Sequence, residues 1–106
     1  MKFLVITRIR DTFVMVPPER QAQIMDGVTA FVNKYRKSGV CKEIFTVVSI
    51  HGTASVWEVD SAEKGAALFL EDPAYPFEDV EMYAVSDFDA QMKAEKEIYQ
   101  KLLAKK

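Results

Sequence analysis

Cysteine, histidine and tryptophan each occur once in this 106-residue sequence, which also has only four glycines and four prolines. The single cysteine, Cys41, cannot form an internal disulfide, and one histidine without a cysteine cluster leaves no zinc-ligand set. We therefore expect no metal site and no cofactor. An excess of positive charge is also missing, since 14 Lys and Arg stand against 16 Asp and Glu. This balance argues against nucleic acid as a partner.

Long hydrophobic runs are absent as well. The longest, such as Phe3 to Ile6, are far too short to cross a bilayer, and the first residues lack the pattern of a signal peptide. We expect no membrane partner and, by default, a cytoplasmic location. With 49% hydrophobic residues, residues 1–106 are expected to form one domain that can also bury apolar surface against another subunit.

The order of apolar periodicities predicts strand, helix, strand, strand, helix, strand. Helices show apolar residues every three or four positions, and Gly39 is placed as a left-handed cap of the first one. Strands show alternation, as at Val80 and Met82. His51 and Gly52 are predicted to form a two-residue hairpin connection. The predicted strands cover residues 2–10, 40–50, 53–59 and about 80–85, and the predicted helices run from 17 to 38 and from about 61 to 72.

This order predicts an α+β, ferredoxin-like βαββαβ fold, with a four-stranded antiparallel sheet and both helices on one face. The first strand is apolar on both faces, so its second face should pack on another sheet in a homodimer, forming a dimeric α+β barrel. Residues 1–86 would form the core, and residues 87–106 an amphipathic helix that packs on its own subunit or on a partner.

Candidate site residues are polar side chains at strand positions whose neighbours are apolar, together with the lone histidine. The catalytic candidates are Glu58, Glu81 and His51, as carboxylate or imidazole bases. The ligand-binding candidates are Arg8, Arg10, Tyr83 and Trp57. Each has a structural alternative: a turn position for His51, the core or a dimer interface for Trp57, and salt bridges at strand ends for the charged residues.

The stretch Pro73-Ala-Tyr-Pro-Phe-Glu-Asp-Val-Glu-Met82 resembles a signature near the end of the muconolactone isomerase family. Ser55-Val-Trp-Glu-Val-Asp-Ser61 is similar to that family's third strand and the turn after it, and Gly39 matches a glycine that ends its first helix. The resemblance covers most of the chain up to Val85. It implies the same dimeric α+β barrel fold, a homodimer or higher symmetric homo-oligomer, and a cofactor-free proton transfer within a small lactone acid.

Two departures from the family pattern affect the expected chemistry. Phe45-Thr46 stands where the family has Trp-Arg, and Val85-Ser-Asp-Phe88 stands where it has His-Pro. Three functions are therefore considered. They are a cofactor-independent proton-transfer isomerase or lyase-like enzyme acting on a small lactone or carbonyl acid, a non-catalytic small-molecule-binding or assembly domain, and a cofactor-free monooxygenase or haem-handling protein. The expected ligand is a small organic acid or lactone.

Overall fold

The computed structural model describes residues 1–105 and shows one four-stranded antiparallel sheet. This α+β architecture confirms the predicted fold class. The strands are β1 (Lys2–Ile9), β2 (Cys41–Val47), β3 (Gly52–Glu58) and β4 (Glu78–Val85), and the helices are α1 (Pro18–Lys37), α2 (Ala62–Leu68) and α3 (Phe88–Ala104). Across the sheet the strand order is β2-β3-β1-β4. Gly39 has a φ of 79° after α1, as predicted for a left-handed cap.

The prediction of a two-residue hairpin connection between β2 and β3 is wrong. Val48–Ile50 form a 3-10 turn, and His51 follows it with a φ of 50° in the left-handed region. The 3-10 turn withdraws three residues from the strand pairing, so β2 ends at Val47. Gly52 is required directly afterwards, because a Cβ atom there would lie 1.8 Å from the backbone oxygen of Thr7.

The core lies between the helices and the inward face of the sheet. Phe3 and Val5 of β1 contribute to it together with an aromatic cluster. In this cluster the ring of Trp57 lies 5.0 Å from that of Phe69 and 5.7 Å from that of Phe31, measured between centroids. These separations are typical of favourable aromatic pairs. Only 2% of the surface of Trp57 is exposed. Trp57 is thus a core residue, which was the sequence-based alternative to a role in ligand binding.

The outer face of the sheet carries apolar side chains that no helix of the same chain covers. Leu4, Ile6 and Val56 are only half-buried there. The side chain of Phe45, on the edge strand β2, is 63% exposed. The register places these residues on the face opposite the core, because they alternate with Phe3, Val5 and Trp57.

Asp87 caps the N-terminus of helix α3, because its side chain accepts a hydrogen bond from the backbone N–H of Ala90 at 2.9 Å. None of its residues is buried, although Phe88, Ile98 and Leu103 are large and apolar. The radius of gyration, 18.2 Å, exceeds the ~13 Å of a compact domain of this length. Helix α3 therefore gains little burial from its own subunit. No helix within residues 1–105 is long and apolar enough to span a membrane.

Candidate functional site

A cavity of about 390 Å³ lies between α1 and the inward face of the sheet. Helix α1 contributes Met25, Val28 and Phe31 to its wall, and Trp57 and Phe69 extend the apolar lining. This volume falls in the range of pockets that hold small organic ligands. The cleft between helices and sheet is therefore not filled by side chains, and it offers a small molecule a mostly apolar surface.

The strand register arranges the polar lining residues in rows across the sheet. At one end of the sheet Ile9 pairs with Glu78 of β4, and its backbone N–H donates to the carbonyl of His51 at 3.1 Å. Glu78 of β4 and His51, which directly precedes β3, thus flank Ile9 on its two sides, with about 10 Å between their Cα atoms at ordinary strand spacing. Thr7 and Thr53 form a pair in the next row. Two titratable groups and two hydroxyls therefore border one end of an apolar cavity.

Glu78 is the most unusual side chain of this site. It is only 5% exposed, and its Oε1 atom has no hydrogen-bond partner within the described part of the chain. Burial, the largest cause, and the adjacent Asp72 carboxyl raise the pKa of Glu78 to about 8. The positive charge of Arg10 acts in the opposite direction. A buried carboxyl with a pKa near neutrality can both accept and donate a proton at physiological pH.

The loop before β4 fixes the surroundings of Glu78. Asp72 is buried, and its Oδ1 accepts a hydrogen bond from the backbone N–H of Ala74 at 2.9 Å. Arg10 is directed elsewhere, since its Nε donates to Asp79 at 2.9 Å and its Nη2 to the backbone oxygen of Glu78 at 2.9 Å. The guanidinium therefore pairs with Asp79 and leaves the Glu78 carboxyl without a direct cationic partner.

The hydroxyl groups of the cavity divide into satisfied and available ones. Ser55 Oγ accepts from Trp57 Nε1 at 2.7 Å and donates to the carbonyl of Val5 at 3.4 Å. Thr7 and Thr53 share one hydrogen bond of 2.7 Å between their Oγ1 atoms. Each threonine hydroxyl carries one hydrogen and their mutual bond uses only one, so the pair keeps one donor for a ligand.

The sequence-predicted residues fall into two groups in the structure. His51 and Trp57 line the cavity, and Arg10 contacts the backbone of Glu78. The other predicted residues project from the outer face of the sheet, where Glu81 and Tyr83 hydrogen-bond to each other. This outer group consists of Arg8, Glu58, Glu81 and Tyr83. Arg10 follows the last residue of β1, and its guanidinium pairs with Asp79, which has the outward parity of Glu81 and Tyr83.

Glu78 and Asp72 were missed by the sequence reasoning, although the signal for Glu78 was present. Glu78 has the same parity as Val80 and Met82, whose alternation predicts a buried face, so its side chain points inward. A carboxylate on a buried strand face calls for a functional or structural explanation. Asp72 gave a weaker signal, because an Asp before proline is common in ordinary turns.

Replacing Glu78 by glutamine should change how stability depends on pH. The pKa of Glu78 is raised by folding, so the native state holds a proton that the unfolded state releases between pH 4.5 and about 8. This group therefore lowers stability as pH rises, by up to about 1.4 kcal/mol per pH unit. We expect Glu78→Gln to gain about 1–4 kcal/mol relative to the parent protein between about pH 5 and pH 8 in urea unfolding. Equal pH slopes for the two proteins would contradict the raised pKa.

Comparison with known proteins supports the fold. No known protein family matches the chain in a scan, and no curated protein matches it. Among solved structures, the crystal structure of a muconolactone isomerase is similar, with a TM-score of 0.66 and 20% sequence identity. The match covers 82% of this chain and 90% of the other. At this identity the likeness establishes a shared fold, and the chemistry must be argued from the residues of the cavity.

Proposed function

We propose that this protein is a cofactor-independent isomerase that moves a proton within a small carbonyl compound bound in the cavity. The observation that carries the proposal is the buried Glu78 carboxyl, which lines an apolar cavity and whose Oε1 has no partner within residues 1–105. Burying such a carboxyl costs stability. Its surroundings suit a general base that operates near neutral pH.

The reaction needs only groups that line the cavity. The ionised Glu78 carboxylate removes a proton from the carbon next to the substrate carbonyl, and the C–H electron pair forms an enolate. The hydroxyl of the Thr7 and Thr53 pair whose hydrogen is not used in their mutual bond donates a hydrogen bond to the enolate oxygen. Glu78 then returns the proton to a different carbon, which completes the isomerisation without net oxidation or reduction.

His51 stays a secondary candidate in this scheme. It lines the cavity on the opposite side of Ile9 from Glu78. A second side chain that can transfer a proton, placed across Ile9 from Glu78, suits a substrate in which the carbon that loses a proton and the carbon that gains one lie several ångströms apart. We expect His51→Gln to reduce turnover less than a change at Glu78.

The test uses a β,γ-unsaturated cyclohexenone, which is neutral and becomes the conjugated isomer when one proton moves. We expect the purified protein to accelerate this conversion and to introduce deuterium at the α and γ carbons in deuterated water, as followed by proton NMR. Muconolactone is tested in the same way. An unchanged spectrum for both compounds, with binding intact, would favour the non-catalytic ligand-binding alternative, which the open cavity also suits.

A homodimer is the second part of this proposal. The half-buried apolar residues on the outer sheet face, with the exposed Phe45 beside them, form a surface that a second copy could cover. The rim of this face is charged with both signs, and Lys2 pairs in register with Glu58. Two sheets packed face to face would bury this centre and keep the charges at the edge.

A further inference from the structure

None of the described residues that line the cavity is a lysine or an arginine. Its titratable lining residues within the described part of the chain are Asp72, Glu78 and His51. The nearest guanidinium, that of Arg10, is paired with Asp79. A carboxylate brought into this space would meet the two acids and no permanent positive charge, at the cost of its own desolvation.

One hydroxyl donor is available in the cavity, because the Thr7 and Thr53 pair keeps one hydrogen. Two acceptor atoms are already occupied, since Ser55 Oγ accepts from Trp57 and Asp72 Oδ1 accepts from Ala74. Glu78 Oε1 has no partner among the described residues, but the Glu78 carboxyl, with its pKa raised to about 8, is largely protonated at neutral pH and offers an ammonium group no negative charge. A ligand carbonyl can accept the threonine hydrogen, whereas an ammonium group needs several acceptors.

We infer that this cavity selects a neutral, largely apolar ring compound with one hydrogen-bond-accepting carbonyl, and that it rejects carboxylates of the same shape. The inference deepens the proposed function and rests on it, because it names the substrate class of the same site. It follows from the lining: aromatic and aliphatic walls, a free hydroxyl donor, two neighbouring acids and no lysine or arginine among the described lining residues.

Binding can be measured independently of turnover, because the only tryptophan of the chain, Trp57, lines the cavity. The probes are β-tetralone, the corresponding tetralin carboxylate and the corresponding aminotetralin, which share one bicyclic frame. At neutral pH we expect β-tetralone to quench or shift Trp57 fluorescence with a Kd at least tenfold lower than that of the carboxylate. The same titrations in His51→Gln remove any contribution of the imidazole.

The pH dependence separates a neutral ligand from a cationic one. Glu78 faces Asp72, with Arg10, Asp79 and His51 nearby, and its pKa is raised to about 8. Affinity for β-tetralone should fall severalfold as pH rises through this value, because an ionised Glu78 carboxylate holds water that the apolar ketone must displace. Glu78→Gln, which is neutral at every pH, should bind β-tetralone with little pH dependence. Aminotetralin binding that is tightest of the three and strengthens above this pH would overturn the inference.

A gain-of-binding variant completes the test. Thr46 lines the cavity from the edge strand β2 and is itself exposed, so a longer side chain can be placed there without entering the core. We expect Thr46→Arg to increase affinity for the tetralin carboxylate at least tenfold, whereas Thr46→Gln, similar in length but neutral, leaves it nearly unchanged. A carboxylate that binds the parent protein as tightly as β-tetralone would overturn the inference. Tight β-tetralone binding without any proton transfer would instead refute the proposed function alone.

Discussion

Glu78→Gln is expected to lower kcat/KM for isomerisation of the β,γ-unsaturated ketone by roughly 10²–10⁴-fold, the usual contribution of a general base. Glutamine keeps the shape of the side chain and cannot accept the substrate proton. The deuterium-exchange rate should fall by the same factor, because exchange needs the same first step. Kinetics in water and NMR in deuterated water measure the two effects.

Glu81→Gln is the matched comparison, because it makes the same chemical change on the same strand but on the outer face, where Glu81 hydrogen-bonds to Tyr83. A loss of rate in Glu81→Gln, with Glu78→Gln active, would instead place the base at Glu81, a catalytic candidate predicted from the sequence, on the outer face. Asp72→Asn offers a finer comparison. Since Asp72 helps to raise the pKa of Glu78, its removal should shift the rising limb of the pH profile below about 8.

Val56→Asp is expected to convert a homodimer into monomers. Val56 pairs with Leu4 in the centre of the outer sheet face, and an aspartate there would bury a charge without a partner in the dimer. The dimer dissociation constant should rise at least ~100-fold, equivalent to about 2.7 kcal/mol. Sedimentation velocity at micromolar concentration measures the change, and circular dichroism checks that the monomer stays folded.

Val14→Asp is the control for this prediction, since it makes the same substitution at a side chain that is 74% exposed and outside the sheet. It should leave the dimer intact. Sedimentation of the unchanged protein as a monomer would refute the proposed packing of two sheets. Val5 is fully buried against the helices, so Val56 is the residue that can report on dimerisation.

The sequence by itself determined the order of elements and the faces of the strands. The alternation of apolar residues at Val80 and Met82 was sufficient to predict which side chains of β4 face the core. The reason is that side chains in a strand alternate between the two faces of the sheet. The apolar sequence of β1 likewise predicted a strand with two apolar faces. Gly39 marked the end of α1 for an equally local reason, since a positive φ favours glycine. The muconolactone isomerase-like signature around Pro73 and Pro76 indicated the fold that the structure comparison supports.

Only the tertiary structure decided which polar residues share a site. Parity places Glu78 on the inward face, but its burial depends on α1, Asp72 and Ile9, which are distant or on other elements. Sequence reasoning chose Glu58 and Glu81 because they are polar among apolar neighbours, a pattern that ordinary outward-facing strand positions also produce. Electrostatic perturbation arises from what packs over a side chain, and that packing brings together residues that no local pattern connects.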